Sequence, residues 1–279
     1  MKINIFYQNA VNNFGDMLSI DVVSALLNGN SETVHSKLKR ADLVAIGSLG
    51  ERINDKRIPR MLYKGFKPLD VWGAGFLEDG PVLSKFPKLN VHAARGKLSA
   101  TRFGSSAKSI ALGDPGLLAG KIFNRHRNVS GGSHVICISH LDDTKSSCWI
   151  SRISKIFEND CRVEVISIQD DVEIICERIF NSSLVVSSAL HPIIVGQSFG
   201  IPTILVEYPG NTLHPGNKYK FTDYASVFSK NVLPWMDLTR LDSCGLGSKD
   251  ILDYALEFVP DASEVDLVCK GLEESFPFR

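Results

Sequence analysis

The side chains most able to do chemistry fall in short motifs where an apolar run gives way to a helical pattern. Ser187-Ser188-Ala189-Leu190-His191 brings two hydroxyls, an imidazole and the start of a helix to one point. Such a point attracts an anion, because the first amides of a helix lack internal acceptors and its dipole is positive there. Pro192 is favoured at the first helical position, which predicts His191 as the N-cap. Arg95, in Ala94-Arg95-Gly96, follows a strand-like run, where a guanidinium can hold a carboxylate or phosphate by paired hydrogen bonds. Asp114, in Gly113-Asp114-Pro115-Gly116, stands at a strand end and could accept a proton from a hydroxyl.

Each motif also has an ordinary reading. Asn12-Asn13-Phe14-Gly15-Asp16 reads as a capped turn in which Gly15 supplies backbone freedom and Asp16 caps the next helix. Gly73-Ala74-Gly75 lets a ligand approach the backbone but lacks the rest of a dinucleotide fingerprint. Asp114 alone reads as a turn residue bonded to its own backbone, His191 as a satisfied structural histidine, and Arg95 as a solvated cation. Lys218-Tyr219-Lys220-Phe221-Thr222-Asp223-Tyr224 interleaves cations with aromatics and fits either a solvated strand edge or a second anion clamp.

The elements that must position these residues follow an α/β grammar. Short apolar runs (Lys2 to Tyr7, Asp42 to Ile46, Asp70 to Trp72, Asn90 to Ala93, Ile110 to Leu112) alternate with longer helical segments. The pattern weakens at Asn124 and becomes polar and glycine-rich to Ser133, then restarts with strands at His134 to Ser139, Val163 to Ile168, Leu184 to Ser188 and Pro202 to Val206. Helices are predicted from about Thr144, from an Asp171 cap, from Pro192, and over Lys249 to Val259 and Ser263 to Phe276. The expectation is two doubly wound, Rossmann-like domains facing a cleft: 1–124, a linker at 125–133, and 134–279. In open parallel sheets ligands bind beyond the carboxyl ends of the strands, where the motifs sit.

The 31 basic and 31 acidic residues cancel, which argues against a protein that coats nucleic acid and makes any anion binding local. Cys137, Cys148, Cys161, Cys176, Cys244 and Cys269 are scattered and read as thiols of a reducing compartment. Neither histidines nor carboxylates show metal-ligand spacing, so no metal is expected. Met1 leads directly into a strand-like run and no apolar stretch approaches ~20 residues, which predicts a cytoplasmic protein with at most peripheral membrane contact. The stretch Arg52 to Lys67 mixes basic residues with Met61, Leu62, Tyr63 and Phe66. It reads as a solvated helix face, with a basic amphipathic surface for an anionic membrane as the alternative.

In order, Asn13-Phe14-Gly15-Asp16, Gly73-Ala74-Gly75, Arg95-Gly96, Gly113-Asp114-Pro115, Ser187-Ser188-Ala189-Leu190-His191 and Lys220-Phe221-Thr222-Asp223-Tyr224 resemble the polysaccharide pyruvyl transferase family over nearly the whole chain. Where glycine commonly follows the motif histidine, this chain has Pro192. The resemblance implies a fold like that of two-domain glycosyltransferases. It implies phosphoenolpyruvate as donor substrate, no cofactor, and a sugar acceptor on an exopolysaccharide, capsule or cell-wall glycan, such as a lipid-linked oligosaccharide. Arg95, His191 and Lys220 would hold the donor, with Ser187, Ser188, Asn13, Gly15 and Gly75 lining the substrate site. His191 would act as the acid, and Asp114 or Asp16 as the base. A nucleotide-sugar-dependent glycosyltransferase and a non-catalytic sugar-binding relative remain alternatives.

Overall fold

The computed structural model describes residues 2–8, 12–29, 31–55, 57–65, 67–83, 89–124, 134–143, 146–207, 218–237 and 246–278. The first half carries β1 (Lys2–Phe6), β2 (Glu32–His35), β3 (Leu43–Val44), β4 (Leu69–Trp72), β5 (Leu89–Ala94) and β6 (Ala111–Leu112) in one parallel sheet of order β2-β1-β3-β4-β5-β6. The second carries β7 (His134–Ile138), β8 (Arg162–Ile166), β9 (Leu184–Ser187), β10 (Thr203–Glu207) and β11 (Trp235–Asp237), also parallel, in the order β11-β10-β9-β7-β8. Each sheet reverses its winding once, between β1 and β3 and between β7 and β9. A parallel sheet leaves a crevice at such a point, outside the carboxyl ends of its strands.

Burial on both faces explains why the central strands read as continuous apolar runs. Every residue of β9 is buried, and β10 is buried through Val206. The helices of the first half are α1 (Phe14–Leu26), α2 (Gly50–Asp55), α3 (Arg57–Lys64), α4 (Lys97–Arg102) and α5 (Ala119–Ile122). The second half adds α6 (Ser146–Phe157), α7 (Val172–Phe180), α8 (Leu190–Ser198) and α9 (Tyr219–Ala225), followed by helices Ser248–Glu257 and Ala262–Glu274. The stretch Arg52 to Lys67 thus forms parts of two short helices. The Lys218–Tyr224 motif is not a strand edge: it forms nearly all of α9, entered through Lys218 in the left-handed region (φ 68°).

One apolar cluster fills the space between the sheets, joining Ile3, Phe14 and Leu18 of the first half to Val185, Ile193, Phe221 and Tyr224 of the second. Two smaller clusters lie on the outer faces. The change of sheet falls between Leu112 and His134, and the expected linker, 125–133, lies outside the described residues. Packing does not follow a division at 124. Helix Ala262–Glu274 lies against β6, and Trp72, fully buried in β4, donates its indole N–H to Leu272 O at 3.0 Å.

Candidate active site

The segments at the two winding reversals come together, Gly15 at the start of α1 meeting His191 of α8. From the first sheet come the start of α1 after β1, Gly47 and Ser48 after β3, Gly73 to Phe76 after β4, and Arg95 after β5. From the second come His140 after β7 and Ser187 to His191 after β9, with Lys220 on α9. The halves touch here directly: the Phe14 N–H, opening α1, donates to Ile168 O at 2.9 Å.

Asn13, not Asp16, caps α1; its side-chain oxygen accepts the Gly15 N–H at 3.1 Å. Asp16 falls in the first turn, half-buried beside Gly47. Burial pushes its carboxyl up to about 6, against the pull of the Gln8 backbone N–H and Arg52. Gly15 is required by a close approach rather than by its turn. A Cβ there would fall 1.9 Å from His191 Nδ1, so the ring from the second half rests on the backbone of the first.

His191 is the second residue of α8, and Ala189 is the N-cap. The expectation of a histidine cap fails because proline is tolerated throughout the first turn, where no N–H has an internal acceptor. The residue is half-buried, and its Nε2, shielded from solvent, has no hydrogen-bond partner. Burial, then the charges of Lys220, Arg95 and His140, depress its pKa to about 3.

The two serines before it are occupied. Ser187 Oγ donates to Ile138 O (2.6 Å) and accepts the Ala189 N–H (2.9 Å), replacing the missing cap. Ser188 Oγ donates to Asp143 Oδ2 (2.7 Å) and accepts the His140 N–H (2.9 Å). A hydroxyl has one proton, and both protons are committed to protein acceptors, so these residues fix the strand ends rather than donate to a ligand.

Arg95 is buried, not solvated. Its Nε donates to Asp223 Oδ2 (3.0 Å), Nη1 to Ser48 Oγ (2.7 Å) and Nη2 to Phe76 O (2.5 Å). Gly75 packs on it, since a Cβ there would sit 2.5 Å from the guanidinium carbon. Five N–H bonds less three leaves two for a ligand. Lys220 is 8% exposed, and burial followed by repulsion from Arg95 lowers its ammonium to about 7, with Asp142 opposing.

Asp114 is fully buried. Its Oδ1 accepts the Gly116 N–H at 2.9 Å, its Oδ2 has no partner, and burial raises its pKa to about 6. The charges of Arg95 and Asp223 reach it, Arg95 opposing the rise and Asp223 adding to it.

Two contributors were not among the candidate residues. His140, lowered to about 4 by burial and by Lys220, adds a second imidazole; its Nδ1 accepts the Asp142 N–H at 3.2 Å, which puts the neutral ring's proton on Nε2. Its position just past a strand next to β9 is the signal that could have found it. Asp223 was inside a quoted motif, but its role as Arg95's partner depends on a contact 128 residues away.

Arg95, Lys220, His140 and His191 are close enough for their charges to act on one another, and all are buried or half-buried. Crowded away from water, the two imidazoles rest neutral and the Lys220 ammonium is weakened, and an anion placed among them would favour their charged forms. Among the described residues no group of three or more histidines, cysteines or carboxylates could hold a metal ion. No helix among them is long and apolar enough to cross a membrane.

The chain is 31% identical over 164 residues to the uncharacterized protein L143 of Acanthamoeba polyphaga mimivirus, covering 57% of this chain and 54% of that protein. It is 23% identical over 232 residues to the succinoglycan biosynthesis protein ExoV of Rhizobium meliloti (strain 1021), covering 82% and 66%. It therefore spans between about half and two thirds of these relatives' lengths. A Listeria monocytogenes protein described as a UDP-N-acetylglucosamine 2-epimerase superposes with a TM-score of 0.57 at 11% identity, covering 99% of this chain and 96% of that one. MnaA of S. aureus, solved with UDP, gives 0.51 at 13%, covering 98% and 91%. At these identities the likeness is one of fold, the two-sheet glycosyltransferase-B architecture. The family model for polysaccharide pyruvyl transferases matches residues 13–210, from the Asn13 cap past the end of β10, and the chain belongs to that family.

Proposed function

We propose that the cleft binds phosphoenolpyruvate and transfers its pyruvyl unit, as a ketal, to two hydroxyls of a glycan sugar. The observation that carries this reading is the shielded, unpartnered Nε2 of half-buried His191 in the field of Lys220, Arg95 and His140. Phosphoenolpyruvate brings a phosphate and a carboxylate, which answer the need for negative charge. Arg95 keeps two N–H bonds for one anionic group, while Lys220, from the other half of the chain, meets the second.

An empty site leaves His191 neutral at pH 7. A bound dianion raises its pKa, so that donor binding and proton uptake are coupled. The protonated ring then delivers its proton to the donor's methylene carbon, and cationic character develops at the adjacent carbon. One sugar hydroxyl adds there, losing its proton to a base. Phosphate departs with the C–O bonding pair, and the second hydroxyl closes the ketal, its proton leaving with phosphate. Asp16 suits the base better than Asp114, because it stands half-buried beside His191's supporting glycine. Asp114 is fully buried. The protein would act in the cytoplasm on a lipid-linked or soluble oligosaccharide.

The test is calorimetry with phosphoenolpyruvate in buffers of different ionisation enthalpy, followed by phosphate release and product mass across an oligosaccharide panel. Saturable binding with proton uptake, and products heavier by pyruvate less water, are expected. Binding of a nucleoside diphosphate in place of phosphoenolpyruvate would instead favour a nucleotide-sugar glycosyltransferase. Binding without turnover across the panel would leave a non-catalytic relative.

A further inference from the structure

Helix α3 is turned inside out relative to an ordinary surface helix. Ile58 and Leu62, four residues apart and so on one face, are 71% and 77% exposed, and Tyr63 beside them is 52% exposed. Lys64, in contrast, points inward and donates to Asp42 at 2.9 Å. A globular helix normally buries its apolar stripe and solvates its charges. The surroundings are positive: Lys39 and Arg40 stack on the Tyr63 ring at 4.0 and 5.0 Å from its centre. Residues 37–67 hold nine lysines and arginines against three acids, in a chain with no net charge. Lys64 and Lys67 are engaged by Asp42, and Glu51 by Arg102 and the Leu77 N–H, which leaves seven bases against Asp55.

We infer that this face docks onto an anionic lipid surface, with Ile58, Leu62 and Tyr63 entering the interface and the basic rim meeting the headgroups. A basic setting around exposed apolar side chains on a short helix is the composition of an interfacial anchor. A second protein copy fits less well. The eight residues of α3 present a face about 12 Å long and roughly 10 Å wide, on the order of 120 Å² and far short of the roughly 800 Å² per partner that a stable protein interface buries. The inference stands independently of the donor, because vesicle binding is measured without turnover.

The experiment is co-flotation of the full chain with phosphatidylcholine vesicles, with and without phosphatidylglycerol, at low and moderate salt. Binding only to the anionic vesicles is expected. It should fall roughly tenfold or more in Ile58→Gln/Leu62→Gln and in Lys39→Glu/Arg40→Glu, with phosphoenolpyruvate binding and circular dichroism unchanged. No flotation at low salt would overturn the inference. Flotation unaffected by both double variants would equally do so. A concentration-dependent dimer that Ile58→Gln/Leu62→Gln dissolves, without vesicle binding, would assign the face to self-association instead.

Discussion

Arg95 and Asp223 form a buried ion pair, 1% and 0% exposed, that joins the first half's cation to the helix carrying Lys220. The same carboxylate accepts the Ser99 N–H (2.9 Å) and hydroxyl (2.5 Å), so one side chain orients the arginine and anchors α4. Removing it strands a guanidinium away from water. Asp223→Ala is expected to cost about 3–5 kcal/mol in chemical denaturation, and Asp223→Asn less, because the amide oxygen still accepts a hydrogen bond. Both should weaken donor binding. An unchanged denaturation midpoint in Asp223→Ala would mean that the pair contributes nothing.

Gly15→Ala tests the contact beneath His191. The added methyl overlaps the imidazole, and the ring must move. Misplacing a catalytic group by about an ångström costs on the order of 100-fold in kcat, whereas overpacking costs roughly 1–3 kcal/mol in stability. A folded protein with kcat lowered about that much and donor affinity less affected is expected. Wild-type kcat would show that the ring is not held in a reactive pose.

Lys220 sets the pH dependence of donor binding. Its ammonium, lowered to about 7 by burial and Arg95, is charged below that pH and neutral above it. An anion needs the charged form, so the association constant should fall about tenfold per unit as pH rises beyond 7. Lys220→Arg keeps its charge throughout and should make this limb shallower, leaving the slope that His191's proton uptake gives. Calorimetry from pH 6 to 9 reads both; a flat wild-type profile would remove Lys220 from the site.

His191 should make the unliganded protein acid-sensitive. Its folded pKa of about 3 lies below the unfolded value of 6.5, so the unfolded chain binds the extra proton and stability falls as pH drops through that window. Asp16 and Asp114, both raised to about 6, act in the opposite sense. They are present in wild type and in His191→Gln alike and cancel in the difference. The stability of wild type relative to that variant should decline by roughly 2 kcal/mol between pH 7 and pH 5, as measured by denaturant titration. A difference independent of pH would mean that the ring is already charged or exposed.

Strands buried on both faces were legible because parallel sheets need unbroken apolar runs, as in Leu184-Val185-Val186. The edge strands β2 and β11 were not, since Glu32-Thr33-Val34-His35 and Trp235-Met236-Asp237 are short and mixed. Glycine motifs marked where the halves approach, but not why: Gly15 makes room for a ring, and Gly96 for the Asp223 backbone, whose oxygen lies 1.8 Å from where a Cβ would stand. Arg95, Lys220 and His191 carried local signals, and the fold brings them together. His140 carried none, because its neighbours depend on the pairing of β7 with β9, in which Ile138 stands opposite Ser187. Which carboxylate faces the cleft was equally hidden, since burial is a tertiary property.

The bond from Trp72 to Leu272 spans 200 residues of sequence. During synthesis at roughly 5–20 residues per second, the first sheet therefore waits about 10–40 s for helix Ala262–Glu274, leaving the face of β6 and the Trp72 indole uncovered. The nascent first half is the stage at which a chaperone would be needed, and its yield as an isolated fragment should be limited by aggregation rather than by any defect in its own strands.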